Sequence, residues 1–188
     1  MANVNANFGL RPVKKLGGGN ISHSEYTIAT GAAAMYTGDV VEMTGTGRNI
    51  QVVAAGNVDN LGVFAGCRYK ASDGTYKYSA YWPGSVGATE AYGFVYDDPT
   101  IVFEAQADTC AEGDIGALAD WAQGSGSTVT GLSGGYCNVG GGTATTNKSL
   151  QILGLATDVN NAYGAYANVL VMIAQHTYRA DASIDIGV

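Results

Sequence analysis

Residues 67–82 read CRYKASDGTYKYSAYW. Two tyrosine-rich runs flank Asp73-Gly74, and in each the large residues alternate with polar or small ones. A period of two belongs to a half-buried β-strand. Asp-Gly supplies the positive φ angles that a tight hairpin turn uses. The stretch therefore predicts a β-hairpin whose second strand carries Tyr76 and Tyr78 on one face, with Trp82 further along. Buried, these rings are one side of a sheet's core. Exposed, Tyr76, Tyr78, Tyr81 and Trp82 are a candidate contact patch for a partner, a second copy or a sugar.

The same punctuation runs through the chain. Gly accounts for 28 of 188 residues and Pro for three, so turns are dense and mostly glycine-made. Between them lie short runs rich in Val, Ile, Tyr and Thr, at 24–28, 39–43, 50–53, 62–69, 75–82, 92–96, 101–106, 115–119, 150–157 and 167–176. Asp97-Asp98-Pro99 separates two of them. Many short strands without a long helical period predict an all-β fold, a Gly-rich sandwich or barrel of short antiparallel strands. A faint repeat adds to this. GDVVEM (38–43) and LGVFAG (61–66) are echoed by GDIGAL (113–118) and LGLATD (153–158), as if two related halves built the body. The second half is longer by residues 123–148, nearly all Gly, Ser, Thr and Asn, which reads as a surface loop.

Composition narrows the function. A length of 188 residues and a hydrophobic content of 46% suit one substantial core. The formal charge of −7 argues against a nucleic-acid partner and against an anionic membrane surface. No apolar run approaches the ~20 residues of a membrane-spanning helix, and no apolar leader opens the chain. Cys67, Cys110 and Cys137 form no C-x-x-C pair and read as reduced thiols.

Chemistry is sparse. His23 and His176 have no Cys, His or carboxylate at ligand spacing, so no metal is expected. No G-x-S-x-G elbow occurs, and Asp97, Asp98, Asp114 and Asp120 sit in turn contexts. Residues 142–149, GTATTNKS, have Asn147 where a P-loop needs its second glycine, and the run that follows reads as a strand rather than a helix. No cofactor and no enzymatic activity are expected.

The N-terminus is the most specific feature. Arg11, Lys14 and Lys15 are three of only nine Lys and Arg, placed within five positions beside Pro12 and before Gly17-Gly18-Gly19. Residues 1–20 show no strand or helix period. They predict an extended arm, with 21–177 as a single β-rich domain and 178–188 as a C-terminal tail. Phe8, Leu10 and Pro12 are apolar anchors, and Arg11, Lys14 and Lys15 are a basic face suited to an acidic neighbour. On this view, removing residues 2–16 leaves the body folded and abolishes docking.

Four segments carry a resemblance. MANVNANFGLRPVKKLGGG (1–19), LGVFAGCRY (61–69), YDDPTIVFEAQAD (96–108) and HTYR (176–179) are similar, in the same order, to segments of small tailed-bacteriophage structural proteins. These are the capsid decoration or cement proteins of phage heads. The resemblance implies a β-rich body on the outer surface of the virion, made in the bacterial host cytoplasm. It further implies a body that bridges major capsid protein subunits, stabilises the expanded shell and self-associates as a dimer or trimer. The competing expectation is a lectin-like or receptor-contacting module that uses the aromatic hairpin.

Overall fold

A computed structural model of the chain describes residues 3–44, 47–53, 59–84, 86–141 and 148–179. The first half carries β1 (Arg11–Lys15), β2 (Ser24–Ile28), β3 (Met35–Tyr36), β4 (Val40–Met43), β5 (Asn49–Val52), β6 (Gly62–Lys70), β7 (Tyr76–Ser79), β8 (Tyr81–Trp82) and β9 (Ala91–Tyr96). The second carries β10 (Ile101–Gln106), β11 (Thr109–Cys110), β12 (Leu118–Ala122), β13 (Tyr136–Asn138), β14 (Leu150–Leu155), β15 (Gly164–Ala165) and β16 (Asn168–Ile173), with one 3₁₀ turn at Glu112–Asp114. The fold is all-β, a closed five-stranded barrel with additional sheets.

The hairpin at 67–82 is present. Arg68 faces Tyr78 and Lys70 faces Tyr76 across β6 and β7. Its turn is one residue longer than a tight two-residue connection. Ala71 N–H donates to Thr75 O at 2.9 Å, and only Gly74 in this loop has a positive φ, +85°. Asp73 Oδ1 closes the loop by accepting from Thr75 N at 2.9 Å and Thr75 Oγ1 at 2.6 Å.

The two halves share one topology. In the first, antiparallel neighbours run β4-β6-β9-β2; in the second, β12-β14-β16-β10. Each is a three-strand meander with the preceding strand returned beside its last member, a Greek-key order. Each also has a bulge in the middle strand of its meander, in β6 between Phe64 and Gly66 and in β14 between Ile152 and Gly154. They differ in closure. In the first half β5 pairs with both β4 and, in parallel, β2, which closes the barrel. The second half stays open, with β1 on one edge and β13 on the other.

Buried apolar residues fall into two clusters rather than the single core expected from length. One fills the barrel with Tyr26, Val41, Ile50, Phe64, Trp82 and Val95. The other lies between the barrel wall and the second sheet, and joins Val40, Val53 and Val63 to Phe103, Ile152 and Val171. Strand alternation explains the division. Val41 and Phe64 turn inward, while Val40 and Val63, directly paired, turn toward the second sheet.

The glycine-rich segment is not a free surface loop where it is described. Gly135 lies on the ring of Trp121 and Gly126 on that of Tyr36, so a Cβ at either would enter the ring. Ser133, Cys137 and Val139 are buried. The buried carboxylate of Asp39 accepts from Tyr36 N at 2.8 Å and Gln123 Nε2 at 2.9 Å, tying the segment to the barrel. Glycine is needed here for close packing rather than for flexibility. Residues 142–147, with most of the P-loop-like run, and the tail beyond Arg179 lie outside the described residues.

Candidate functional site

The N-terminal segment is bound to its own body, which corrects the expectation that it lacks a strand. β1 pairs antiparallel with β10, Arg11 opposite Glu104 and Lys15 opposite Ile101. Leu10 is 2% exposed in the second core. The physical reason is the open edge of β10. All six of its residues are buried, and an uncovered strand of that kind would be an aggregation template. Pro12 lacks an N–H and sits beside a bulge at Val13, which suits an edge that accepts no further strand.

The six expected anchors therefore divide. Leu10 is core. Arg11 lies 4.3 Å over the Phe8 ring and 3.6 Å from Glu104. Lys15 reaches Asp98 at 2.5 Å, and with Thr100 it holds that carboxyl down to about 2. Pro12 is half-buried. Lys14 is exposed without an ion pair among the described residues, flanked by Val13 and Leu16, 48% and 60% exposed. Along and just beyond β1, Val13, Lys14 and Leu16 present an exposed apolar-basic edge to a partner.

The aromatic hairpin divides as well. Trp82 is a core residue, corrected from a contact. It is 5% exposed, edge-on to Tyr69 at 5.3 Å, and its Nε1 donates to Ala32 O at 3.4 Å. Tyr81 stacks on Tyr36 at 5.4 Å. The strand breaks between Ser79 and Tyr81, which turns β8 away from the face of β7. Tyr76 and Tyr78 stand out, 56% and 76% exposed. Beside them lie groups that the sequence reading did not single out. Arg68 sits 4.3 Å over Tyr92 and forks onto Glu25 with bonds of 2.9 and 2.8 Å. That bond lowers the pKa of Glu25. Their signal was Arg68 and Lys70 alternating opposite the tyrosines.

Between the arm and the body lies an open cleft of about 370 Å³, lined by Val4, Phe8, Gln106, Asp158, Asn161 and Tyr166 among others. Its amides serve the protein itself. Gln106 bonds the backbone of Val4 and Ala6, and Asn161 that of Ala156 and Asn168. Burial and the neighbouring Asp158, which lines the cleft, raise the pKa of Glu104.

Among the described residues no group of three or more His, Cys, Asp or Glu is placed to hold a metal. His23 packs 5.1 Å from Phe94. His176 is buried and accepts Tyr178 N–H at Nδ1. Cys67, Cys110 and Cys137 are free and buried. Burial pushes Cys67 up to about 12 and Cys110 to about 11, and raises Cys137 too, so none is poised as a nucleophile. No helix among the described residues is long and apolar enough to cross a membrane.

No family model, curated protein or solved structure matches this chain. What remains is the arrangement itself. Residues of the segments 3–19, 61–69, 96–108 and 176–179 come together where the two halves meet. Leu10, Val63 and Phe103 share one core. Tyr26 OH, hydrogen-bonded to Asp97 at 2.7 Å, is 2.9 Å from Tyr178 OH. His176 bridges to Asn60, immediately before LGVFAG.

Proposed function

We propose that this chain is a capsid decoration protein that binds the outer surface of a phage head and stabilises the expanded shell by bridging major capsid protein subunits. The observation that carries the proposal is the ordered resemblance of the four segments, each of which contributes at least one residue where the two halves meet. Proteins alike in these residues would share the double Greek-key body. Two similar halves also suit a body that touches two neighbouring subunits. A lattice repeats each weak contact many times, so no single contact need be strong. Preference for the expanded lattice would stabilise that state by mass action. The free edge of the arm, Val13, Lys14 and Leu16, supplies apolar contact and one unpaired cation.

Co-sedimentation with expanded and unexpanded heads tests this. Saturable binding to expanded heads is expected. It should weaken in a Lys14→Glu/Leu16→Asp variant whose fold is unchanged. Failure of the intact protein to bind either head form would remove the proposal. A lectin-like or receptor-contacting module is the second reading, favoured by the exposure of Tyr76 and Tyr78; a glycan array would separate the two.

A further inference from the structure

The cleft between the arm and the body combines backbone strain with apolar groups left in water. Among the described residues only two non-glycines have a positive φ, Asn160 at +67° and Tyr166 at +58°, and both line it. A bulky aromatic in the left-handed region is strained. Two hydrogen bonds hold Tyr166 there, from its N–H to Asp108 O at 3.1 Å and from Gln106 Nε2 to its carbonyl at 3.3 Å. Exposed apolar side chains line the same cleft, Val159 at 90%, Val4 at 76% and Tyr166 at 37%, with Tyr163 nearby in sequence at 44%. Strain and exposed apolar surface at one place mark a contact site.

The two walls are fixed before anything binds. Asn3 Nδ2 ties the arm to the opposite segment, donating to Ala162 O at 2.8 Å and Ala165 O at 3.0 Å. Gln106, on β10, holds the arm by bonds to Val4 and Ala6 of 2.9 and 2.7 Å. Asn161 Nδ2 braces the far wall through Ala156 O and Asn168 O at 2.8 and 2.7 Å. A preformed site loses less entropy on binding.

We propose that this cleft receives an extended, apolar-basic segment of a partner protein, with an apolar side chain against Val4, Val159 and Tyr166 and a Lys or Arg side chain at Asp158. Charge selects the occupant. No Lys or Arg lines the cleft, whereas Asp158 does, and it forms no ion pair among the described residues. Its neighbour Glu104 has Arg11 at 3.6 Å, so two carboxyls face one guanidinium. The molecule carries −7, which draws a basic segment in and repels an acidic one. A volume of about 370 Å³ is at the small end of ligand sites, room for a few side chains. On the capsid reading the segment belongs to a capsid subunit, but the chemistry of the cleft stands without it.

Amide chemical-shift titration of the isotope-labelled full chain reads this directly. The probes are the capped tripeptides acetyl-Leu-Arg-Leu-amide and acetyl-Leu-Glu-Leu-amide. The arginine peptide should shift the amides of Val4, Phe8, Val159, Asn161 and Tyr166 saturably, with a dissociation constant on the order of 1 mM. The glutamate peptide should bind about tenfold more weakly. Asp158→Asn should erase most of that difference, and Val159→Ser should weaken the arginine peptide roughly fivefold. Both positions are exposed, so unchanged amide shifts in the two cores verify that each variant is folded. Absence of saturable shifts overturns the proposal. So does equal binding of the two peptides, or shifts confined to residues 13–16 or to Tyr76 and Tyr78. Shifts at the cleft on raising the protein concentration alone would place a second copy there and overturn it too. The experiment contains no heads, so its failure and failure of the capsid proposal are separate results.

Discussion

His176 shows how a single residue ties the C-terminal segment to the barrel. Its Nδ1 accepts the N–H of Tyr178 at 3.1 Å, which requires a neutral ring with its proton on Nε2. That Nε2 is buried with no hydrogen-bond partner among the described residues. Burial pushes the pKa down to about 4, against an opposing pull from Asp97 and Asp98 and with a further push from Arg179. The ordinary value is 6.5, so between 6.5 and about 4 the unfolded chain binds the extra proton. Stability is therefore present above this window and is lost as pH falls through it, by about 3 kcal/mol at most. Urea unfolding of wild type and His176→Gln at steps from neutral pH down to about 4 isolates the effect, since carboxylates titrate in both. Wild type should lose stability more steeply. Parallel curves would mean that the ring carries no pH dependence. Asp98, held near 2 chiefly by Lys15, stays ionised throughout.

At the scale of elements, β1 joins an expected docking arm to the hydrophobic core. Leu10→Ala should cost about 2–5 kcal/mol, because a fully buried leucine leaves a cavity. Lys14→Glu should stay within about 0.5 kcal/mol. Denaturant titrations of the two variants check the contrast, and equal mild effects would show the strand to be dispensable. Deletion of residues 2–16 thus uncovers β10 and removes a core side chain, so it cannot serve as a clean test of attachment. The hairpin at 67–82 was legible because period two and a Gly turn coincide in one short stretch. β1 was not, because Pro12 and the bulge at Val13 interrupt its alternation and its partner lies about ninety residues away. Trp82 was misplaced for a related reason, since the break after Ser79 changes the face. Residues 123–141 have the composition of a free loop, yet their glycines answer to the rings of Trp121 and Tyr36, which composition cannot show.

At the scale of the molecule, the duplication was half visible. GDVVEM lies on β4 and GDIGAL leads into β12; LGVFAG opens β6 and LGLATD ends β14. The copies thus mark equivalent strands at shifted positions. Gly62 starts its strand under the Tyr96 carbonyl, whereas Gly154 sits at a bulge with open space around it. The shared topology does not make two independent units. The second core takes Val40, Val53 and Val63 from the barrel wall and Leu10 from the arm, so unfolding either half exposes the other. The chain supplies its own probes, because its two tryptophans divide between the cores, Trp82 in the barrel and Trp121 in the second cluster. Fluorescence of Trp121→Phe then follows the barrel, and that of Trp82→Phe follows the second sheet. Each variant, unfolded in urea, should give a fluorescence midpoint that coincides with its own far-UV dichroism midpoint, as a single cooperative transition demands. A Trp signal that moves before the backbone signal in either variant would mean that the seam does not couple the halves. The proposed bridging of two capsid subunits would then rest on two loosely joined modules instead of one rigid body.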